Sequence, residues 1–306
     1  MERIPRRILV PTDFSSASIR AVKTAMSLAE RFDAEVHPLY VRQVYTGTDG
    51  RFLDSTSGEN LQDEIERILR STEIPARKAV KELAKGPNGV RWQGHLERGI
   101  SIPNTILESA RSHDCDLIIM GTHGRNMVSR LLLGSVTERV VRLAPLPMMT
   151  TRDNADGSVP PNKMLVGYDS SDDSVEALRF AGNWARTLGS RLVLLHVLNP
   201  RVYPEFYGGQ PPRIDLDAKI TQRGLEALQQ AAEQHLTEVE YDTAITHGNP
   251  ASSIVEYANA HGCDLIVLAT HGLTGIAHSL MGSVAESVVR TADVPVLTVR
   301  SKSVTG

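Results

Sequence analysis

Two acidic residues and two glycine-bearing loops recur in this chain in the same order. Asp13 follows the segment ILVPT, and Asp169 follows MLVGY 156 positions later. The loops read Gly121-x2-Gly124-x9-Gly134-Ser135 and Ala269-x2-Gly272-x9-Gly282-Ser283. Glycines let backbone N–H groups approach an anion, and a Gly-Ser pair at a helix start adds a hydroxyl and the positive end of the helix dipole. An acidic side chain across from such a loop can accept hydrogen bonds from ribose hydroxyls. The pattern therefore indicates a nucleotide site in each half, with simple turn glycines as the alternative.

Neither of the two well-known glycine fingerprints for nucleotides is present. No GxGxxG follows the first predicted strand, and no GxxxxGK[ST] supplies a phosphate-binding lysine. The predicted phosphate loop is therefore of another kind.

The loops belong to a longer repeat. The segment CDLIIMGTHGRNMVSRLLLGSVTERVVR at 115–142 returns as CDLIVLATHGLTGIAHSLMGSVAESVVR at 263–290. Since both ends of the unit recur in order, the chain is a tandem duplication of a whole domain. We predict a first domain at 1–152, a linker at 153–162 and a second domain at 163–306.

Composition narrows the class of partner and the compartment. With Lys+Arg 33 against Asp+Glu 36, the chain has no excess of positive charge for a nucleic acid or a membrane surface. The apolar runs of about five to eight residues are far too short to span a bilayer. The amino end is not built like a signal peptide, so we expect a cytoplasmic location.

Strands and helices alternate in each copy. Strands are predicted at 8–11, 35–41, 90–97, 117–121 and 147–151, and in the second copy at 164–167, 191–197, 239–246, 265–269 and 295–299. Helices are predicted after the first strands, at 59–85 and 215–237, at 104–112 and 251–260, and from Ser135 and Ser283. This alternation predicts an α/β fold with a parallel, doubly wound sheet in each copy. Ligands bind such sheets beyond the carboxyl ends of the strands, where the strand order reverses.

The combination of VPTD, the G-x2-G-x9-G-S loop and the closing VVR…P resembles the universal stress protein family, in its tandem form. The resemblance covers nearly the whole chain. It implies two open five-stranded parallel sheets of order 3-2-1-4-5, an adenine nucleotide alpha hydrolase-like fold. It further implies binding of ATP, or of AMP or ADP, with Mg²⁺. Because His271 and His278 lack metal-ligand spacing, we expect no metal held by protein side chains.

The resemblance also implies the residues of each site. In the first domain they are Pro11, Thr12 and Asp13 on the ribose and adenine side, the backbone of Val41 at the adenine edge, and Gly121, Gly124, Gly134, Ser135 and Val136 around the phosphates. In the second domain they are Gly167, Tyr168, Asp169, Val197, Gly272, Gly282, Ser283 and Val284.

We expect the second site to be the weaker one. Ala269 stands where the first loop has Gly121, and an added methyl group disfavours a positive φ or a close phosphate contact. Leu273 and His278 also replace the cations Arg125 and Arg130.

Three classes of function remain open at this point. The first is an ATP-binding regulatory protein of the stress response, in which nucleotide occupancy selects a protein partner. The second is a slow ATP hydrolase or phosphotransferase, for which only His123 and Asp13 offer candidate groups, and we expect no strong catalysis. The third is an interaction protein that binds no nucleotide. Family members commonly dimerise through their last strands, so we expect 148–151 to pair with 296–298 within the chain, with a homodimer as a further possibility.

Overall fold

The structure is a computed structural model, and it describes residues 4–44, 89–122, 133–152, 159–199, 214–270 and 281–300. The chain divides into two compact units, one comprising Pro5–Ala144 and the other built on Pro145–Gly306. The predicted helix at 59–85 lies outside the described residues. Among the helices that are described, none has the length and apolar character needed to cross a membrane.

The first unit is a parallel sheet with helices between its strands. Strand β1 pairs with β2 on one side and with β5 on the other, and both β3 and β4 pair with β2. The elements are β1 (Arg7–Pro11), α1 (Ser16–Phe32), β2 (Glu35–Gln43), β3 (Arg91–Trp92), β4 (His95–Gly99), α2 (Ile102–Ser112), β5 (Leu117–Gly121) and α3 (Ser135–Leu143). The predicted third strand is therefore divided into two short strands, which differs from the single strand expected at 90–97.

The second unit repeats this arrangement with five parallel strands in the order β9-β8-β7-β10-β11. In order of the chain these are strands three, two, one, four and five of the copy, so the predicted order 3-2-1-4-5 is present. The elements are β6 (Met148–Thr151), β7 (Lys163–Gly167), α4 (Asp172–Leu188), β8 (Arg191–Leu198), α5 (Ile214–His235), β9 (Tyr241–His247), α6 (Pro250–Ala260), β10 (Leu265–Ala269), α7 (Ser283–Thr291) and β11 (Val296–Val299).

Strand β6 gives the second unit a sixth, antiparallel strand. It pairs with β11 so that Thr150 lies opposite Val296 and Met148 opposite Thr298. The Thr298 hydroxyl donates to the Met148 carbonyl at 3.1 Å. The predicted pairing of 148–151 with 296–298 is thus confirmed. Because β6 pairs in this way, the compact units divide at Ala144, whereas the domain boundaries that we propose from the repeat lie at residues 152 and 163.

Small residues bring the first helix of each unit close to its sheet. Every residue of β5 is buried, as expected for a strand covered on both faces. The alanines that face the sheet are at most 2% exposed: Ala21, Ala25 and Ala29 in α1, and Ala177, Ala181 and Ala185 in α4. These stripes of small residues therefore lie in the core, where they allow close helix-to-strand packing.

Gly121, at the end of β5, marks the closest approach of helix α1. A Cβ built on Gly121 would lie 2.7 Å from the backbone carbon of Ala17 and 2.9 Å from the backbone nitrogen of Ser18. Its φ is not in the left-handed region. The glycine is therefore required by helix packing and not by a positive φ, and its contact with phosphate stays a prediction.

We expect Gly121→Ala to lower the free energy of unfolding of the first unit by about 1–3 kcal/mol, because an extra methyl group in a packed site forces the backbone to shift. Urea unfolding followed by far-UV circular dichroism measures this. The matched control is Ala269→Gly, at the equivalent position of the second copy, which removes a methyl group that the fold already accepts. Equal, small effects of the two variants would contradict the packing role of Gly121.

Candidate functional site

A cavity of about 520 Å³ opens in the first unit beyond the carboxyl ends of β1, β2 and β5. The structure brings together there all of the predicted first-site residues that it describes. They are Pro11, Thr12, Asp13, Val41, Gly121, Gly134, Ser135 and Val136. Gly124 lies outside the described residues. Strand β1 lies between β2 and β5, so the acidic turn and the glycine loop meet at one crevice.

The turn after β1 holds Asp13 in a fixed position. Its Oδ1 accepts hydrogen bonds from the Ser15 backbone nitrogen at 3.0 Å and from the Ser15 hydroxyl at 2.6 Å. Ser15 in turn caps helix α1 by accepting from the Ser18 backbone nitrogen at 3.3 Å. Phe14, between them, has φ of 61°, a conformation that is unfavourable for a non-glycine residue. The strained turn therefore orients one carboxylate at the edge of the cavity.

The amino terminus of helix α3 also lines the cavity. Its N-cap, Gly134, provides no side chain to cap the helix, and the first helical residues Ser135, Val136 and Thr137 line the cavity. Two hydrogen bonds fix this end: the Gly134 nitrogen donates to the Thr122 carbonyl at 2.8 Å, and the Thr137 hydroxyl donates to the Gly121 carbonyl at 2.8 Å. Backbone N–H groups at a helix start attract anions, because the helix dipole is positive there.

An apolar wall of the same cavity is a feature that sequence reasoning missed. It is formed by Leu39, Ile102, Ile106 and Met120. Such a wall suits a flat, apolar ring system that carries polar groups at its edge. The available signal was the repeat itself, since the second copy carries Leu195, Pro250, Ile254 and Leu268 at the equivalent positions.

The second unit has an equivalent cavity, of about 320 Å³. It is lined by the predicted residues Gly167, Tyr168, Asp169, Val197, Gly282, Ser283 and Val284, while Gly272 lies outside the described residues. The turn is also repeated, because Asp169 Oδ1 accepts from the Ser171 backbone nitrogen at 3.0 Å and Ser170 has φ of 66°. Helix α7 likewise begins at Gly282 without a side-chain cap.

Two substitutions enlarge residues of the second cavity. Among the equivalent lining positions that the structure describes, only Tyr168 in place of Thr12 and Ala269 in place of Gly121 are larger in the second copy. Tyr168 is 9% exposed, and burial raises the pKa of its phenol. Of these two changes, the tyrosine adds the greater volume.

Candidate catalytic groups are few in the described part of the first cavity. Asp13 is the one ionisable carboxylate among its lining residues, and no histidine, lysine or cysteine lines it there. His123 and His271, together with Arg125, Arg130, Leu273 and His278, lie outside the described residues. The described geometry therefore offers groups that bind a ligand rather than groups that attack it.

The fold and the two cavities define the class of this chain: a duplicated, doubly wound α/β protein with a crevice at the strand ends of each copy. The model of the universal stress protein family matches residues 5–152 and again residues 161–300. The chain therefore belongs to the universal stress protein family, as its motifs predicted, and it carries two copies of the family's domain.

Some relatives match about half of this chain, and others match nearly all of it. A universal stress protein of Methanocaldococcus jannaschii is 35% identical over 153 residues, which are 49% of this chain and 84% of that protein. A universal stress protein of Mycolicibacterium smegmatis is 27% identical over 307 residues, covering 96% of this chain and 97% of that one. The crystal structure of a universal stress protein from Archaeoglobus fulgidus covers 96% of this chain and 98% of its own, with a TM-score of 0.65 and 19% identity, which is a likeness of fold.

Proposed function

We propose that this protein binds ATP in the first cavity and acts as a nucleotide-dependent regulatory protein of the stress response. The observation that carries the proposal is the set of groups that line this one cavity. They are the Asp13 carboxylate, an apolar wall and the uncapped start of helix α3. The carboxylate suits the ribose hydroxyls, the apolar wall suits the adenine ring, and the helix start suits the phosphate chain.

In the proposed complex each part of the nucleotide has its own partners. Asp13 accepts hydrogen bonds from ribose hydroxyls, and the adenine ring packs against Leu39 and Ile106 with its edge at the backbone of Val41. The phosphates accept hydrogen bonds from the first N–H groups of α3, with Gly134 and Ser135 closest. Val41 lies two residues past Leu39, whose carbonyl accepts from the Thr12 nitrogen at 2.8 Å where β1 ends. Mg²⁺ would be held by the phosphate oxygens, since it binds nucleotides through few protein carboxylates.

A regulatory role fits this cavity better than hydrolysis. Hydrolysis needs a group that positions water at the γ-phosphate. In the described part of the site the one carboxylate is Asp13, and its Oδ1 already accepts hydrogen bonds from Ser15. We propose instead that bound ATP changes how a cytoplasmic protein partner is recognised.

Mass spectrometry of nucleotide released from the purified full chain, followed by a turnover assay with ATP and Mg²⁺, tests this proposal. We expect adenine nucleotide to be released in amounts below two per chain, and turnover to be slow or undetectable. Rapid, catalytic release of ADP would favour the hydrolase. A preparation that neither releases nor binds adenine nucleotide would favour an interaction protein without a nucleotide.

A further inference from the structure

Three histidines converge in the first unit, away from the lining of the cavity. His37 lies on β2, His95 begins β4, and His113 caps the carboxyl end of α2. Each offers a ring nitrogen, and these atoms all lie within 4.8 Å of one another. His37 Nδ1 and His95 Nε2 are 2.9 Å apart. No other group of His, Cys, Asp or Glu among the described residues meets the same criterion.

Two of these histidine rings have a carboxylate close to a ring nitrogen. His37 Nε2 lies 3.4 Å from Glu35 Oε2, and His113 Nε2 lies 3.5 Å from Glu97 Oε1. Glu97 Oε1 also accepts a hydrogen bond from the Ser109 hydroxyl at 2.7 Å. Histidines that bind metals usually have such a carboxylate on the second ring nitrogen, which fixes the ring and strengthens it as a ligand.

The environment of His37 and His95 favours the neutral ring, which is the form that binds metals. The His37 side chain is 3% exposed. Burial lowers the pKa of His37, and burial together with His113 and His37 lowers the pKa of His95 to about 4.

The second copy shows that the fold does not need this cluster. Val193 occupies the position of His37, because each lies opposite the equivalent leucine of the first strand. Ala244 occupies the position of His95, since His95 pairs with Leu39 and Ala244 with Leu195. Only His113 is retained, as His261, which stacks on Tyr257. His37 and His95 are therefore present in the first copy only, and the second copy has small apolar residues at their positions.

We propose that His37, His95 and His113 bind a single divalent transition-metal ion of the Zn²⁺ type. Three imidazoles satisfy the ligand preference of Zn²⁺ and leave its fourth position for water or for Glu97. Coordination replaces the His37–His95 hydrogen bond and requires the stacked rings of His95 and His113, whose centroids lie 3.8 Å apart, to turn toward the ion. Both rings are only half-buried and can turn. The nitrogens of a tetrahedral zinc site lie about 3.3 Å apart, close to the 2.9 Å between His37 Nδ1 and His95 Nε2.

The ion would lie near the nucleotide cavity but outside it. His37 precedes Leu39 by two residues on β2, a rise of about 7 Å along the strand. Helix α2 contributes Ile102 and Ile106 to the cavity and ends at His113. The inference does not depend on nucleotide binding.

Calorimetric titration of the metal-free full chain with Zn²⁺, alone and with excess Mg²⁺, tests the proposal. We expect one tight ion per chain, and no competition from Mg²⁺, because Mg²⁺ prefers oxygen ligands. Titration with Co²⁺ should add the visible absorption bands of a tetrahedral nitrogen site.

The duplicated chain provides matched variants. His37→Val with His95→Ala installs the residues of the second copy and should remove the tight ion. His113→Ala, at the half-exposed helix end, should weaken Zn²⁺ by at least about tenfold and abolish the Co²⁺ bands. The control is His261→Ala, which should change neither. Circular dichroism verifies that each variant is folded. If Zn²⁺ binds with unchanged affinity to the folded His113→Ala protein, or if His261→Ala weakens it equally, the assignment is wrong.

Discussion

Asp13→Ala is expected to weaken ATP binding at the first cavity by roughly tenfold to more than a hundredfold. The variant loses hydrogen bonds between ribose hydroxyls and a charged carboxylate, each contributing about 1.5–3 kcal/mol. It also loses the acceptor that fixes the turn before α1. Calorimetric titration of the full chain with ATP and Mg²⁺ measures the change.

Two further variants serve as controls: one separates the effect of the charge from that of the turn, and the other tests the second copy. Asp13→Asn keeps an oxygen at Oδ1, so the cap of α1 should survive while affinity for ATP still falls. Asp169→Ala makes the same change in the second copy and should leave the tighter binding event unaltered. Affinity that is unchanged in both Asp13 variants would contradict the assignment of this residue to the nucleotide.

The second large effect concerns the difference between the two cavities. We expect the second site to bind ATP more weakly, by roughly tenfold for each 1.4 kcal/mol lost. We expect Tyr168 to be the main cause, because Tyr168 in place of Thr12 is the largest increase in size among the lining positions that the structure describes. Tyr168→Thr should therefore strengthen the weaker binding event, and Thr12→Tyr should weaken the tighter one. Both are measured by calorimetric titration with ATP.

Ala269→Gly is the matched control for volume. A Cβ at the equivalent Gly121 points toward helix α1, so removing the Ala269 methyl group should change ATP affinity far less than Tyr168→Thr does. A remaining difference that shrinks at high salt would come from Arg125 and Arg130 in the first loop, since salt screens charges. Two equal sites in the unaltered chain would contradict this explanation.

Much of the site could be predicted from sequence because parallel strands bring their carboxyl ends to one edge. Asp13 and Ser135 are 122 positions apart in the sequence. Asp13 follows strand β1 and Ser135 begins the helix after strand β5, and the βαβ pattern sets the place of both strands in the sheet. Because the domain is repeated, each predicted position of the first site also has an equivalent in the second copy. The strand order of the second copy and the pairing of β6 with β11 were predicted from the resemblance to the universal stress protein family.

Features that depend on side-chain contacts were not predictable in this way. Leu39 and Ile106 have the same pattern as residues of the core, so their place at the cavity wall was not evident. The packing role of Gly121 depends on the distance to Ala17 in α1, which no spacing reveals. The histidine cluster escaped notice because its members come from two strands and a helix end, without the short spacing of a metal motif.

A crystal structure of the full chain with ATP and Mg²⁺ tests the central claim most directly. The account predicts nucleotide in the first cavity, with the ribose hydroxyls on the Asp13 carboxylate and phosphate oxygens within hydrogen-bond distance of the backbone nitrogens of Ser135 and Val136. ATP bound only in the second cavity, or a first cavity that stays without nucleotide at saturating ATP, would contradict it.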